Sequence, residues 1–497
     1  MSCTLGIDIG TYASKGVLAD SDGRIIAQAE RRHEMMVPKP GWAEHDPDKD
    51  WWGGFVYLAR TLLAESGVDP ASIKAVACSA IGPCMLPVDE NGNALMNGVL
   101  YGVDNRAAAE VSELTVAIGE DVLLARCGNA LTSQSVGPKI LWLKRNRPGI
   151  YAKTAKIHTS TTYLVRKLTG RTVIDHYTAA SFSPLYDVEK QDWTTDLTAE
   201  IVDHDMLPEI LWSSQIAGQV NIGAANETGL AVDTPILTGT IDAAAEAISV
   251  GVLSPGQMMM MYGSTIFIIM PAQERVSDPR LWYAPWLFEG QHASMAGLAT
   301  SGTLTHWFRD RFARELSKDE AFQSLAQEAE ASPPGANGLL MLPYFSGERT
   351  PIHDPLAKGT LIGLNLTHSR GDIYRAMLEG IALGTGDVIE TYRDAGASPK
   401  KLYAVGGGVK NRVWSQATSD ISGMAQTIRE KSIGASYGNA FLAAMAIGTV
   451  EAGDIVNWNP MVDMIEPDPE NTTLYANRLS QFRRLYAGTR DLMHELG

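Results

Sequence analysis

Grouped positive charge is missing from this sequence. Its 497 residues carry 41 Lys and Arg against 57 Asp and Glu, a formal net charge of −16. No basic block occurs, which argues against nucleic acid as the main partner, since phosphate backbones are held by clustered Lys and Arg. Cysteine is scarce too. Cys3, Cys78, Cys84 and Cys127 fit no zinc-ligand spacing and are expected as buried free thiols in a reducing compartment. Long apolar runs are absent: the most apolar stretch, 258–270, is broken by Gly263, Ser264 and Thr265 and is too short to span a bilayer. The first residues lack a basic region followed by an apolar one, so no signal peptide and no membrane partner are expected, and the expected location is cytoplasmic. There is no Gly-Lys dipeptide, which excludes a Walker A loop, and no Gly-x-Gly-x-x-Gly.

What is present is an ordinary globular balance, 45% hydrophobic and 20% charged, in a chain long enough for two or more domains. Residues 4–9 read as a strand, Gly10-Thr11 as a turn and 15–18 as a returning strand. Asp20-Ser21-Asp22-Gly23 turns the chain into a third strand over 24–29. Asp46-Pro47 offers a cap and a first helical proline for a helix through Leu63. Strand and helix signals alternate from there, which predicts an α/β protein. A second strand, small-residue turn and strand, 258–262, Gly263-Ser264-Thr265 and 266–270, repeats the opening plan. Two halves built alike are expected, with a boundary near 246–256. Tyr475, Leu479, Phe482 and Tyr486 recur at helical spacing and predict a docking helix.

Four places combine residues suited to chemistry. Asp8 precedes a turn holding Thr11, Ser14 and Lys15, where backbone N–H groups can face an anion and a carboxylate can hold magnesium through water; an ordinary hairpin explains the same residues. Asp242 stands where a strand over 234–238 gives way to an Ala-rich helix. It reads equally as a helix cap or as a catalytic carboxylate at the C-terminal side of a strand. Gly263-Ser264-Thr265 is a candidate second phosphate clamp. Gly406-Gly407-Gly408, followed by Asn411 and a helix, leaves bare backbone for a flat ligand or makes a tight turn.

Together these pieces, with two further segments, resemble one family. Residues 359–379 resemble the C-terminal signature of the FGGY carbohydrate kinases, and 343–351 resemble their Gly-Glu-Arg-Thr-Pro segment. Lys139 to Asn146 fit the N-terminal signature, while Gln134 and Val136 depart from it. The resemblance spans nearly the whole chain. It implies an actin-like ATPase (ribonuclease H-like) fold of two related domains with a cleft between them. Residues 1–247 would hold the acceptor sugar, the base and the first phosphate loop; residues 248–497 would bind the nucleotide. It further implies Asp242 as catalytic base, Asp8 as the carboxylate assisting Mg²⁺, and Thr11, Ser14 and Lys15 in the first phosphate loop. Gly263, Ser264 and Thr265 fall in the second phosphate loop, Gly406, Gly407, Gly408 and Asn411 in the adenosine segment, and Asn439 near the nucleotide, with ATP as donor.

On the acceptor side, Gly41-Trp42-Ala43-Glu44 resembles a segment of xylulose kinases, and Asp104 and Arg106 a further acceptor motif; Trp51 and Trp52 are expected to pack a helix. Ile81-Gly82-Pro83 stands where xylulose kinases carry Gln-Met-His and glycerol kinases Arg-Glu. A pentulose such as xylulose or ribulose, or a related polyol, is therefore the expected substrate class, glycerol is not, and a homodimer is left open. The competing readings are an actin-like ATPase without sugar kinase activity and an acid/base hydrolase pairing Asp242 with another carboxylate.

Overall fold

The structure, a computed structural model, describes residues 2–194, 196–197, 200–317 and 320–496. The chain divides into two compact units. The first runs to Leu253 and takes in Tyr283–Ala293 and Ile433–Pro460; the second holds Ser254–Trp282, Ser294–Ser432 and the chain from Met461 onward. The first cut between the units falls at 253/254, and two later segments return to the first unit.

In the first unit the sheet is built from β1 (Cys3–Ile9), β2 (Ala13–Asp20), β3 (Ile25–Arg32), β4 (Ile73–Ala80), β5 (Ile216–Gln219), β6 (Pro235–Leu237) and β7 (Thr240–Ile241). Its order is β5-β6-β4-β1-β2-β3, with β7 also pairing β4. β1 is antiparallel to β2 and parallel to β4; β4 is parallel to β6, and β6 antiparallel to β5. Buried Leu5, Ile7 and Ile9 share a core with Phe55, Leu58 and Leu62 of helix Gly53–Ser66. That helix is preceded by a wider turn, Pro47–Trp52, in which Asp46 accepts from the Asp48 and Lys49 amides. The expected Asp46 cap is present, but the first turn it starts is π rather than α. Trp51 and Trp52 are buried there as packing residues. None of the four cysteines forms a disulfide, and all four are buried.

The second unit contains β8 (Gln257–Tyr262), β9 (Ile266–Ala272), β10 (His292–Leu298, from Ser294 on), β11 (Lys401–Val405), β12 (Gln426–Arg429) and β13 (Met461–Ile465). These run in the order β10-β9-β8-β11-β12-β13. β8 is antiparallel to β9 and parallel to β11; β11 is parallel to β12, and β12 antiparallel to β13. This repeats the first sheet with β8 in the place of β1, so the two strand-turn-strand openings do head two sheets of one plan. Helix Arg370–Asp394 starts with a reciprocal Ser369/Asp372 capping box. The C-terminal helix Thr472–Glu495 buries Tyr475 and Phe482 and donates from the Tyr486 hydroxyl to Asp354 Oδ2 at 2.7 Å, as a docking helix should. No helix among the described residues is long and apolar enough to cross a membrane.

Candidate active site

Strand register gathers the first unit's polar centre. Asp8 on β1 lies opposite Lys15 on β2 and Ser79 on β4, and Thr240 of β7 lies opposite Ser79, so one row crosses the sheet. The Ser79 hydroxyl donates to Asp8 Oδ1 at 2.7 Å. Asn439 Nδ2 donates to Ser79 Oγ and to the Ile7 carbonyl, both at 2.8 Å. Asp8 is buried, and Oδ1 is fixed from behind by this chain of side chains. Burial, and then the Asp242 charge, raise its carboxyl well above the ordinary range against the Ser79 hydrogen bond and the Lys15 charge. Asn439 was expected near a nucleotide. Its side chain is wholly buried, with Nδ2 used behind Asp8 and Oδ1 without a partner among the described residues.

Asp242 is the first residue of helix Asp242–Ser249; the capping position belongs to Ile241, and no side chain caps this end. Asp242 Oδ1 accepts from the next amide, Ala243 N–H, at 2.8 Å. By surface area the residue is half-buried, yet its carboxyl is surrounded by protein, and that burial pushes it up to about 6 against the backbone amides that favour its charged form. Glu246, one helical turn on, was given no role from sequence. Its carboxyl is pushed up to about 7 by burial and by the Asp242 charge, opposed by Lys15 and the Ala435 amide. It crowds Gly434, where a Cβ would stand 2.5 Å from Glu246 Oε2. The i, i+4 spacing that puts both carboxylates on one helix face was the available signal.

The hairpin between β1 and β2 closes through Gly10 N–H to the Ala13 carbonyl at 3.0 Å. Among the described residues the Thr11 and Tyr12 amides have no hydrogen-bond partner, while the Tyr12 carbonyl accepts from the His33 amide. Lys15 is half-buried on the Asp8 face. Ser14 is a correction: alternation along β2 turns it to the opposite face. There it is fully buried, with its hydroxyl unpartnered and 3.0 Å from where a Cβ on Gly54 would stand. Tyr101 was also missed. Its hydroxyl is raised by burial and by the Asp242 charge, with the Thr11 side chain beside it.

Trp42, Glu44, Asp104 and Arg106 do come together, but mainly to satisfy one another. Arg106 Nε and Nη2 reach Asp104 at 2.8–3.0 Å, and Nη2 reaches Glu44 Oε1 at 2.8 Å. Glu44 Oε2 accepts from Asn97, and Asp104 Oδ2 also accepts from the Ala43 amide. The guanidinium lies 4.0 Å from the Trp42 ring centre, and Lys39 Nζ lies 4.7 Å from it. Glu44, Asp104 and Arg106 are buried. This buried charge set holds its loop in shape, but it is not closed: Arg106 Nη1 is buried with no hydrogen-bond partner, beside the half-buried Trp42 face. Ile81 and Pro83 are buried, and Gly82 packs so closely that a Cβ would stand 2.1 Å from Ile241, the residue before Asp242. The segment 81–83, packed on the residue before Asp242, thus brings no side-chain donor or acceptor of its own.

In the second unit the turn Gly263-Ser264-Thr265 closes through Gly263 N–H to the Thr265 carbonyl. The Gly263 and Ser264 carbonyls accept from the Ser301, Gly302 and Thr303 amides at the start of helix Gly302–Phe312, at 3.0–3.3 Å. Ser264 is exposed, and among the described residues the Ser264 and Thr265 amides are unpartnered. Of the three glycines after β11, two are required by the fold. Gly406 has φ +95 and Gly408 faces Trp414, where a Cβ would meet the ring at 2.5 Å. Gly407 is exposed and would place a Cβ in open space. Asn411 Oδ1 accepts from the Trp414 amide at 3.2 Å, which makes it the cap of helix Arg412–Ser422. Glu348, in the Gly-Glu-Arg-Thr-Pro segment, pins its loop through the Ala299 and Arg349 amides at 2.6 and 2.7 Å.

Two sheets of one plan, each opened by a hairpin with unpartnered amides, fit the actin-like ATPase (ribonuclease H-like) fold. The chain belongs to the FGGY family of carbohydrate kinases, whose N-terminal domain matches residues 3–249 and whose C-terminal domain matches residues 258–447. It is 30% identical to the xylulose kinase of Bacillus subtilis (strain 168) over 502 residues, covering 99% of this chain and 98% of that one. The structure of xylulose kinase from Rhodospirillum rubrum matches with a TM-score of 0.94 at 29% identity, over 99% of this chain and 100% of that one. The glycerol kinase of Thermoanaerobacter pseudethanolicus (strain ATCC 33223 / 39E) is 27% identical over 474 residues, 92% of each chain. The protein is a carbohydrate kinase.

Proposed function

We propose that the protein transfers the terminal phosphate of ATP to a hydroxyl of a small ketose, a pentulose such as xylulose or ribulose or a closely related polyol, with Asp242 as general base. The observation that carries this reading is the Asp242 carboxylate: it heads a helix without capping it, and burial keeps it more basic than an ordinary aspartate. A sugar hydroxyl is a poor nucleophile, and a base whose pKa lies near the working pH accepts its proton most effectively. Phosphoryl transfer asks the protein mainly to position groups and to neutralise charge. Each hairpin's unpartnered amides, joined in the first unit by Lys15, suit phosphate oxygens, and such amides explain why an acidic protein needs no basic cluster. Asp8 fits a magnesium site: Oδ1 is taken by Ser79, Oδ2 accepts no hydrogen bond among the described residues, and Mg²⁺ is commonly held by one or two carboxylates with water and phosphate oxygens. Bound there, the ion would supply positive charge to those phosphate oxygens.

The xylulose kinases among its relatives support the ketose, and the apolar segment of Ile81 and Pro83 argues against glycerol. A segment without polar side chains has no donor or acceptor for a small polyol's hydroxyls. In an ADP-release assay with Mg²⁺ across ketoses and polyols, kcat/KM for the preferred ketose is expected to exceed that for glycerol by about 100-fold or more. ATP hydrolysis indifferent to every sugar would favour the actin-like ATPase reading. Sugar turnover without ATP would favour a hydrolase.

Gly407 gives a second, smaller test. Its glycine is explained neither by packing nor by φ, which suits a backbone approached by a flat base. Gly407→Ala is expected to leave the melting temperature within a degree or so and to raise KM for ATP by about 3- to 10-fold. An unchanged KM would remove the triplet from the nucleotide site.

A further inference from the structure

His45 is fully buried, and both of its ring nitrogens are engaged. The Trp51 indole Nε1 lies 3.1 Å from His45 Nδ1. An indole nitrogen only donates, so Nδ1 is the unprotonated acceptor and the single ring proton sits on Nε2. His45 Nε2 lies 3.1 Å from the Thr11 carbonyl oxygen, which only accepts. The two partners thus select the same neutral tautomer from opposite sides of the ring. Burial, followed by the neighbouring His33, pushes His45 down to about 4, which agrees with a neutral ring. Trp51 is itself held in place: it is wholly buried, and a Cβ on Gly98 would stand 2.2 Å from its ring.

The consequence lies in the peptide that joins Thr11 to Tyr12. In a planar trans peptide the carbonyl and the following N–H point in opposite directions. Holding the Thr11 carbonyl inward therefore holds the Tyr12 N–H outward. That amide has no partner among the described residues. A bare turn would be free to flip this peptide, which would present a carbonyl in place of a donor.

We propose that His45 is a positioning residue for the phosphate donor: its Nε2–H, fixed by Trp51, locks the Thr11–Tyr12 peptide with its N–H turned out to receive a phosphate oxygen. The inference rests on the reading of this hairpin as a phosphate loop. It gives a task to a histidine in a segment otherwise associated with the acceptor sugar, and it places that task on the ATP side.

The test compares His45→Ala, His45→Gln and Asp8→Asn in the full-length protein, with KM for ATP, KM for the preferred sugar, kcat and melting temperature measured for each. Glutamine can present an amide N–H at about the reach of Nε2 and cannot lose it to a second tautomer. His45→Ala is expected to raise KM for ATP by about tenfold, the loss of one buried hydrogen bond, with KM for the sugar changed less than twofold. His45→Gln is expected to recover KM for ATP to within about threefold of the parent. Equal rises for ATP and sugar, or equal damage from Ala and Gln, would make the role merely structural and overturn the proposal. If His45→Ala does not fold, Trp51→Phe serves instead: it frees the tautomer and should raise KM for ATP alone, and no rise overturns the proposal. Asp8→Asn separates the two levels. If it abolishes turnover while His45→Ala leaves KM for ATP unchanged, only the His45 inference fails; if Asp8→Asn leaves turnover intact, the phosphate-site reading fails with it.

Discussion

Asp242→Asn is expected to lower kcat by about 100- to 10,000-fold, the span of general acid–base catalysis, without unfolding the protein and with a small rise in melting temperature. The two effects share a cause. Burial raises the Asp242 carboxyl in the folded state from its ordinary value to about 6, so the folded chain binds that proton more tightly than the unfolded chain does. Its contribution to stability is therefore greatest at low pH and is lost as pH rises through about 6. At pH 7.5 the charged carboxylate is a net cost, increased by its neighbours Asp8 and Glu246. Asparagine keeps the shape and removes the charge. The favourable placing of a negative charge at a helix start offsets part of the gain, which is why the rise should be small.

The same carboxyl sets the acid limb of the pH profile. A base must be deprotonated to accept the sugar proton, so log kcat/KM should fall below about pH 6 with a slope near one, well above the range of an ordinary aspartate. That limb should be missing from the residual activity of Asp242→Asn. ADP-release rates from pH 5 to 8 and thermal melts of both proteins check it. Near-parental kcat in the variant would dismiss the base, whereas a large fall in melting temperature would return Asp242 to a structural role.

Local pattern carried much of this site, and distance along the chain limited the rest. The strand, glycine turn and strand at each opening are short-range signals, and both hairpins formed where alternation and turn chemistry put them. The capping box of Ser369 and Asp372, inside the segment that resembles the family signature, starts a long helix. Ser14 could have been placed from alternation, because its neighbours Ala13 and Lys15 take the other face of β2. Asn439 could not. Its two hydrogen bonds join residues 432 and 360 positions apart, and nothing local to helix Ala435–Ala446 announces that it will lie behind Asp8. His45 was hidden for a related reason, since its work depends on a tryptophan and a hairpin carbonyl brought to it only by the fold. Trp42, Glu44, Asp104 and Arg106, which resemble acceptor motifs in sequence, are brought together by the fold, yet sequence cannot tell which of their polar groups pair with one another and which, like Arg106 Nη1, are left without a partner.

How closely that returning helix must approach leads to the largest expected effect on stability. Helix Ala435–Ala446 lies against β1 at Gly6, where a Cβ would stand 1.9 Å from the Ser436 carbonyl oxygen and 2.5 Å from the Ala440 nitrogen. It crosses helix Asp242–Ser249 at Gly438, where a Cβ would stand 1.9 Å from the Ala245 carbonyl oxygen. In each case the obstacle is backbone, so no side-chain rotation relieves it. Neither glycine has a positive φ, so alanine is tolerated by the local backbone and any loss comes from packing alone. Gly438→Ala or Gly6→Ala is expected to destabilise the first unit by about 3 kcal/mol or more. Gly423→Ala is the control: φ is +66 and nothing stands within 4 Å, so only the left-handed strain of about 1 kcal/mol applies. Urea unfolding of the three variants separates these cases. The Gly438 variant should also lose kcat beyond what unfolding explains, because a helix pushed away from helix Asp242–Ser249 and from β1 withdraws Asn439 from Ser79 and leaves Asp8 Oδ1 without its fixed donor. Stability lost with kcat intact in the remaining folded fraction would show that Asp8 keeps its orientation without Asn439.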